Sequence, residues 1–266
     1  MLLQLVSAKG TAIGATLAGL AAVSGDSLAI PTFAEPKKGY ILQLWADVQA
    51  AGTLRVRSPK MHDNVSGMRI DTVVSDPTPL LPWGVPIRVY GSDVLTVELA
   101  GSATAGDEEV VSMLMAFEEL PGQVGRLISP EEVMRRHQHT LSVENTIATG
   151  TTGIWTGAEA INSEIDQFQV SYDYAILGYK VDTECASIGY RAPSFANVRI
   201  GGPGIETEAW LTSDWFLRIS RAYNMPLVPV FAGSDKASVQ IDALQDENGA
   251  DVTVTTYLAA LSKGTA

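Results

Sequence analysis

The chain repeats itself, and the repeat constrains everything else. Residues Tyr40 to Leu120 are echoed by Tyr174 to Leu261. Tyr40, Arg57 and Pro59 are matched by Tyr174, Arg191 and Pro193 at one spacing of 134 residues. Asn64-Val65 answers to Asn197-Val198, Arg69-Ile70 to Arg199-Ile200, Pro86 to Pro226, and Gly91-Ser92-Asp93 to Gly233-Ser234-Asp235. The order is kept throughout, while the spacing drifts between 130 and 142, as it does when loops change length between duplicated units.

Each copy reads as a run of short strands. In the first, Leu2 to Ser7, Ser27 to Phe33 (broken by Pro31), Tyr40 to Val48, Thr53 to Ser58, Met68 to Val74, Val85 to Tyr90, Val94 to Leu99 and a closing strand with Val111, Met113, Met115 and Phe117 on one face give eight candidates. Period-two alternation marks several of these as half-buried antiparallel strands: Leu42, Leu44, Ala46 and Val48 on one face, Gln43, Trp45 and Asp47 on the other. The breaks carry turn residues, namely Ala51-Gly52, Asp63-Asn64, Asp76-Pro77, Gly91-Ser92-Asp93 and Ala105-Gly106-Asp107. The second copy offers His139 to Asn145, Phe168 to Val181, Ser187 to Tyr190, Val198 to Ile200, Pro226 to Phe231, Ala237 to Ile241 and Val252 to Leu258.

Two stretches break the strand pattern. Ser129-Pro130-Glu131-Glu132 is a helix start, with Ser129 as cap, Pro130 at the first helical position and Glu132 completing a capping box. It predicts a short connector helix to about His137. Between Ile200 and Pro226 the second copy is longer than the first. There Trp215, Phe216, Ile219 and Tyr223 share one helical face behind a Ser213 or Asp214 cap, which predicts an inserted helix. The expected fold is therefore all-β: two tandem eight-stranded jelly rolls, with a connector helix and one inserted helix. Residues 1–125 form the first roll including an N-terminal arm, 126–138 the connector and 139–266 the second roll.

Composition narrows the function. Thirty acidic residues against 18 basic ones leave a net charge of −12, and no basic run exceeds two, which excludes direct phosphate-driven nucleic-acid binding. The single cysteine, Cys185, excludes an internal disulfide and sits in an apolar stretch as a small buried hydrophobe. The apolar segment before Gly25, with Lys9 its only charge, is too short to cross a bilayer and is charged in the wrong place for a signal peptide. It reads as a strand and then a loose helix or arm, with contact to a membrane or a neighbouring subunit as the sharper alternative.

No constellation of catalytic, cofactor-binding or metal-ligating residues emerges. His137, His139, Glu144 and Gly150 approach a cupin metal motif, but the spacing to Gly150 is short and no histidine follows His139. Asp107-Glu108-Glu109, Glu118-Glu119, Glu131-Glu132 and Asp246-Glu247 are adjacent pairs that a strand would send to opposite faces, away from glycosidase geometry. Trp45, Trp83, Trp155, Trp210 and Trp215 read first as core or subunit contact and second as sugar platforms.

The repeat, the strand count, the connector and the insertion before Pro226 together resemble the double jelly-roll major capsid proteins of tectivirus- and corticovirus-type lipid-containing viruses. That resemblance implies a structural, non-enzymatic bacteriophage virion protein, assembled in the host cytoplasm. It implies homotrimers of pseudo-hexagonal outline tiling an icosahedral shell over an internal membrane, no cofactor, and partners among minor capsid or vertex proteins. It leaves residues 1–23 as the membrane-facing candidate. Two other classes stay open: a double jelly-roll glycoside hydrolase or amidase, and a carbohydrate-binding or adhesion β-sandwich.

Overall fold

A computed structural model describes residues 1–61, 64–74, 77–245 and 250–264. The Asp246-Glu247 pair, Asp63 and Asp76 lie outside the described residues.

The first unit contains β1 (Leu2–Thr11), β2 (Ala18–Gly19), β3 (Ala21–Ala22), β4 (Gly39–Asp47), β5 (Gly52–Arg57), β6 (Met68–Thr72), β7 (Ile87–Val89), β8 (Thr96–Ala100) and β9 (Glu108–Phe117). They form two sheets, β3-β1-β9-β4-β7 and β2-β8-β5-β6. After β10 (Leu127–Ile128) and α1 (Pro130–Arg136), the second unit contains β11 (His137–Ile147), β12 (Glu159–Ala160), β13 (Tyr172–Val181), β14 (Cys185–Arg191), β15 (Ile200–Gly204), α2 (Trp215–Tyr223), β16 (Val228–Ala232), β17 (Gln240–Leu244) and β18 (Val252–Ser262). Its sheets run β11-β18-β13-β16-β10 and β12-β17-β14-β15. Setting aside the edge additions β3 and β10, the two units have the same four-plus-four strand order, antiparallel at every described pairing. Each is a jelly roll, and the chain is a double jelly roll.

The register sharpens the repeat. β4 bulges between Ile41 and Gln43 against β9, and β13 bulges between Ile176 and Gly178 against β18. A bulge inserts one residue and switches the facing of the residues beyond it, so the two bulges fix the correspondence. Leu42 then corresponds to Leu177, and Tyr40 falls one residue away from Tyr174. The packing agrees: Tyr174 is fully buried among the aromatic rings of its own unit, whereas Tyr40 packs from the outer side of its sheet. Arg57 and Arg191 do correspond, each closing its strand. Leu120 lies beyond the end of β9 and is not the counterpart of Leu261 in β18.

The first strand forms as expected and runs on to Thr11, so residues 2–11 belong to the sheet and not to an arm. β1 lies inside its sheet between β3 and β9, with Leu2, Leu3, Leu5, Val6 and Ala8 all buried. Residues Ser27 to Phe33 contribute only an Ala29–Val94 bridge instead of a strand, and Pro31 within them has no N–H to extend a ladder. The connector helix forms as expected, with Ser129 Oγ accepting the Glu132 N–H at 3.3 Å. The capping box is only half made, because the Glu132 carboxylate turns to Arg135. α2 buries Trp215, Phe216, Ile219 and Tyr223 as predicted. The Asp214 carboxylate accepts from Arg218 and caps no backbone N–H. Among the described residues no helix is long and apolar enough to cross a membrane.

β15 reads Ile-Gly-Gly-Pro-Gly and still forms a strand, because large side chains press onto its backbone. A Cβ on Gly202 would stand 2.5 Å from the Tyr179 hydroxyl and 2.6 Å from the Trp215 ring. Gly202→Ala is therefore expected to overpack this contact and cost about 2 kcal/mol, read as a lower urea midpoint with an unchanged slope.

Candidate functional site: the seam between the two rolls

The sequence pattern predicts that Gln43, Trp45 and Asp47 lie on the exposed face of a half-buried strand. The structure buries them instead. The first unit's β1-β9-β4 sheet is covered on both faces. Leu2, Val6, Ile41, Leu44, Val111, Met113, Met115 and Phe117 face their own roll. Leu3, Leu5, Leu42, Trp45, Leu114 and Ala116 join the hydrophobic cluster of the second roll. The covering element is the outer face of β14 and β15.

Polar groups inside this seam are paired across it. Trp45 Nε1 donates to the Ala186 carbonyl at 2.9 Å and to Ser187 Oγ at 3.0 Å. The hydroxyls of Ser7, Ser112 and Ser187 form a chain with 2.8 Å links. The Leu5 N–H donates to the Arg199 carbonyl at 2.7 Å. At the α2 end, Tyr223 donates its hydroxyl to the Leu42 carbonyl, and Gln43 Nε2 donates to the Leu81 carbonyl and to Tyr223. Burial pushes the Tyr223 hydroxyl above the usual tyrosine value.

One rim of the seam carries buried charge. Arg199 donates to Asp242 in the second roll and to Asp26 in the first, with closest contacts of 2.9 Å each. Its guanidinium lies 3.8 Å from the centroid of the Trp155 ring, and Trp155 Nε1 donates to Asp26. The Ser7 N–H also donates to Asp26. Burial pushes the Asp26 carboxyl up, against the opposing pull of Arg199 and of the Trp155 and Ser7 N–H donors. Gln4, Ser24, Thr156, Arg191 and Asn197 help line a cavity of about 360 Å³ here.

This cluster has a twin that residue patterning alone did not reveal. Arg55 stands opposite Glu98 in the β5–β8 pair, and Gly189 stands opposite Asp242 in the corresponding β14–β17 pair. Glu98 is held by Arg55 at 2.6 Å and Arg57 at 2.9 Å; Asp242 is held by Arg199 at 2.9 Å and Arg191 at 3.1 Å. Arg191 takes the place of Arg57. Arg199, directly before the neighbouring strand β15, takes the place of Arg55, and a Cβ on Gly189 would lie 2.6 Å from Arg199 Cδ. Both rolls thus carry one carboxylate between two guanidiniums at the same register position. The hydrogen bonds from Arg55 and Arg57 hold the Glu98 carboxyl down to about 2.

The other residues singled out from sequence do not converge. His137 is exposed beside Thr140, and His139 packs edge-on against Tyr172. Glu108 pairs with Lys9, and Glu109 is buried, accepting the backbone N–H groups of Gln49 and Ser102. Glu119 pairs with Lys37. Trp45 and Trp215 meet edge-to-face in the seam, Trp155 caps its charged rim, and Trp83 and Trp210 flank Arg218 at the surface. Cys185 is buried. Among the described residues no three His, Cys, Asp or Glu side chains gather as metal ligands.

No family model matches the sequence, and no curated protein does. Among solved structures, the exported protein XepA of PBSX aligns over 96% of this chain and 86% of its own, at 7% identity and a TM-score of 0.29. The major capsid protein P2 of bacteriophage PM2 aligns over the whole of both chains, at 7% identity and a TM-score of 0.25. A chain of Sulfolobus turreted icosahedral virus aligns over 98% of this chain and 81% of its own, at 9% identity and a TM-score of 0.21. Likeness of this degree carries no functional argument.

The twin clusters make a graded prediction. Glu98→Gln is expected to cost about 2 kcal/mol, and Asp242→Asn about 4 kcal/mol, because Asp242 is the more deeply buried partner. The Glu98 carboxyl is lower in the folded chain than its ordinary value near 4.5. Its stabilisation is thus full above that value and is lost as pH falls towards about 2. Urea midpoints of wild type and Glu98→Gln should differ at pH 7 and converge on acidification across that window.

Proposed function

We propose that this chain is a virion structural protein: a major capsid protein that assembles as pseudo-hexameric homotrimers into an icosahedral shell. The observation that carries this reading is the repetition of one jelly-roll topology, fused through a contact that uses a different face of each roll. The first roll gives the outer face of its β1-β9-β4 sheet, and the second gives the outer face of β14-β15. The two complementary faces lie at opposite ends of the subunit, and α1 covers that of the second roll in part, over Ala175, Val230, Ala259 and Leu261. On the first roll this is the outer face of β5, β6 and β8, with Arg55, Arg57 and Arg69 beside Glu98 and Asp71. On the second it is the outer face of β11 and β18, where Thr140, Ser142, Glu144 and Thr146 are exposed.

A contact of two unlike faces is heterologous, and repeated between copies it runs head to tail until it closes. Three copies closing this way enclose six rolls, which gives the near-hexagonal outline that tiles a shell. The arginines of one face meet a face bearing Glu144, so the charge is complementary. The role is structural and non-catalytic, with vertex or minor capsid proteins as partners where the lattice changes symmetry.

Mass measurement of the purified protein with negative-stain microscopy tests the reading. Particles of three chains, at 28.3 kDa per chain, with a six-sided outline are expected. A strict monomer at every concentration would falsify the proposal.

A further inference from the structure

The two rolls treat the same strand edge differently. In the first roll the free edge of β1 is covered from within the chain. The Leu5 N–H donates to the Arg199 carbonyl, the Ser7 N–H donates to the Asp26 carboxylate, and the Ser7 carbonyl accepts the Val23 N–H. β3 then pairs with Ala8 and Lys9. The corresponding strand of the second roll is β11. Leu5 stands opposite Leu114, and Ser142 stands opposite Tyr257; Leu114 and Tyr257 each face the first residue after the β4 or β13 bulge. Ser142 is therefore the counterpart of Leu5, and Glu144 that of Ser7.

On β11 the Thr146 N–H donates to the Glu164 carboxylate, so it points away from β18. N–H directions repeat every second residue along a strand, so the N–H groups of Ser142 and Glu144 point the same way. Among the described residues nothing accepts from them. An open edge of this kind is a template for another chain's backbone.

The group that covers Leu5 has its own counterpart in the first roll. Arg199 directly precedes Ile200, which pairs with Tyr190; Gly67 directly precedes Met68, which pairs with Val56. Beside Arg199, Val198 packs into the hydrophobic clusters of both rolls. By this register Ser66 stands in the place of Val198, and beside it Val65, the valine of the repeated Asn-Val pair, is 76% exposed. The first roll thus displays an apolar side chain one position from where the second roll inserts Val198.

We infer that the Asn64–Gly67 turn of one copy docks on the β11 edge of the next. The Gly67 backbone carbonyl accepts the Ser142 N–H, as the Arg199 carbonyl accepts the Leu5 N–H within the chain, and the neighbouring Val65 packs against the β11 face. The occupant of the open edge is therefore a second copy of this chain. The inference rests on the head-to-tail trimer proposed above and assigns that trimer's contact to particular residues.

Two substitutions test it without touching either core. Val65→Asp places a charge on an exposed turn. Ser142→Pro removes an outward N–H from an edge strand, where no ladder bond is lost. Sedimentation of wild type and both variants, with thermal melts to confirm folding, gives the readout. A trimeric wild type with folded, monomeric Val65→Asp and Ser142→Pro is the expected result. If Ser142→Pro does not fold, Val65→Asp decides alone. A trimeric wild type with trimeric, folded variants overturns the docking contact and leaves the trimer standing. A wild type that is monomeric throughout overturns both.

Discussion

The structure depends on one sheet that has no outside. β1, β9 and β4 alternate apolar side chains to both faces, and only the second roll can cover the outer one. A sheet bearing Leu3, Leu5, Leu114, Ala116 and Trp45 on a solvent face would expose a large apolar surface. Burying a residue the size of Trp45 is worth several kcal/mol, and its indole N–H donates to Ala186 and Ser187 of the other roll. The two jelly rolls therefore fold as one block, even though each has a complete strand set.

The second roll's equivalent face shows why only one seam exists within the chain. Where the first roll has Leu3 and Leu5, the second has Thr140 and Ser142, and these are exposed. A polar sheet face bounded by an open edge suits a contact made and unmade between finished subunits, whereas an apolar face suits one made once during folding. Duplication followed by divergence of a single face accounts for both. The carboxylates keep the repeat visible in the register: Glu98 and Asp242 share a place and the partner Arg57 or Arg191, while the second guanidinium changes from Arg55 to Arg199.

Much of the architecture was legible in the chain because strand periodicity and turn chemistry are local. β1, β4, β5, β9 and both helices lie close to where alternation, capping residues and the Trp215–Tyr223 spacing put them. The repeat was legible too, but matching identical letters paired Tyr40 with Tyr174, whereas the bulges shift the register by one. Identity of residue is a weaker guide than identity of facing. The seam was readable in principle, since a strand apolar on both faces is one that will be covered twice. In β4 the sign of the second cover is Trp45, which stands on the face that strict alternation leaves to solvent. The twin clusters were hidden for another reason. Asp242 draws its second guanidinium from Arg199, 43 residues away in sequence, and only topology brings them together. The one local trace is the shared polar–apolar alternation of Thr96-Val97-Glu98-Leu99 and Gln240-Ile241-Asp242-Ala243.

The seam makes two rolls into one cooperative body. Native-state hydrogen exchange, followed strand by strand, tests it most directly. The amides of β1, β4 and β9 should open with the same free energy as those of β14 and β17, in a single global event, and Trp45→Ala should lower both sets together. Protection of the first roll's sheet that survives while β14 and β17 exchange, or the reverse, would show two independently folding rolls instead.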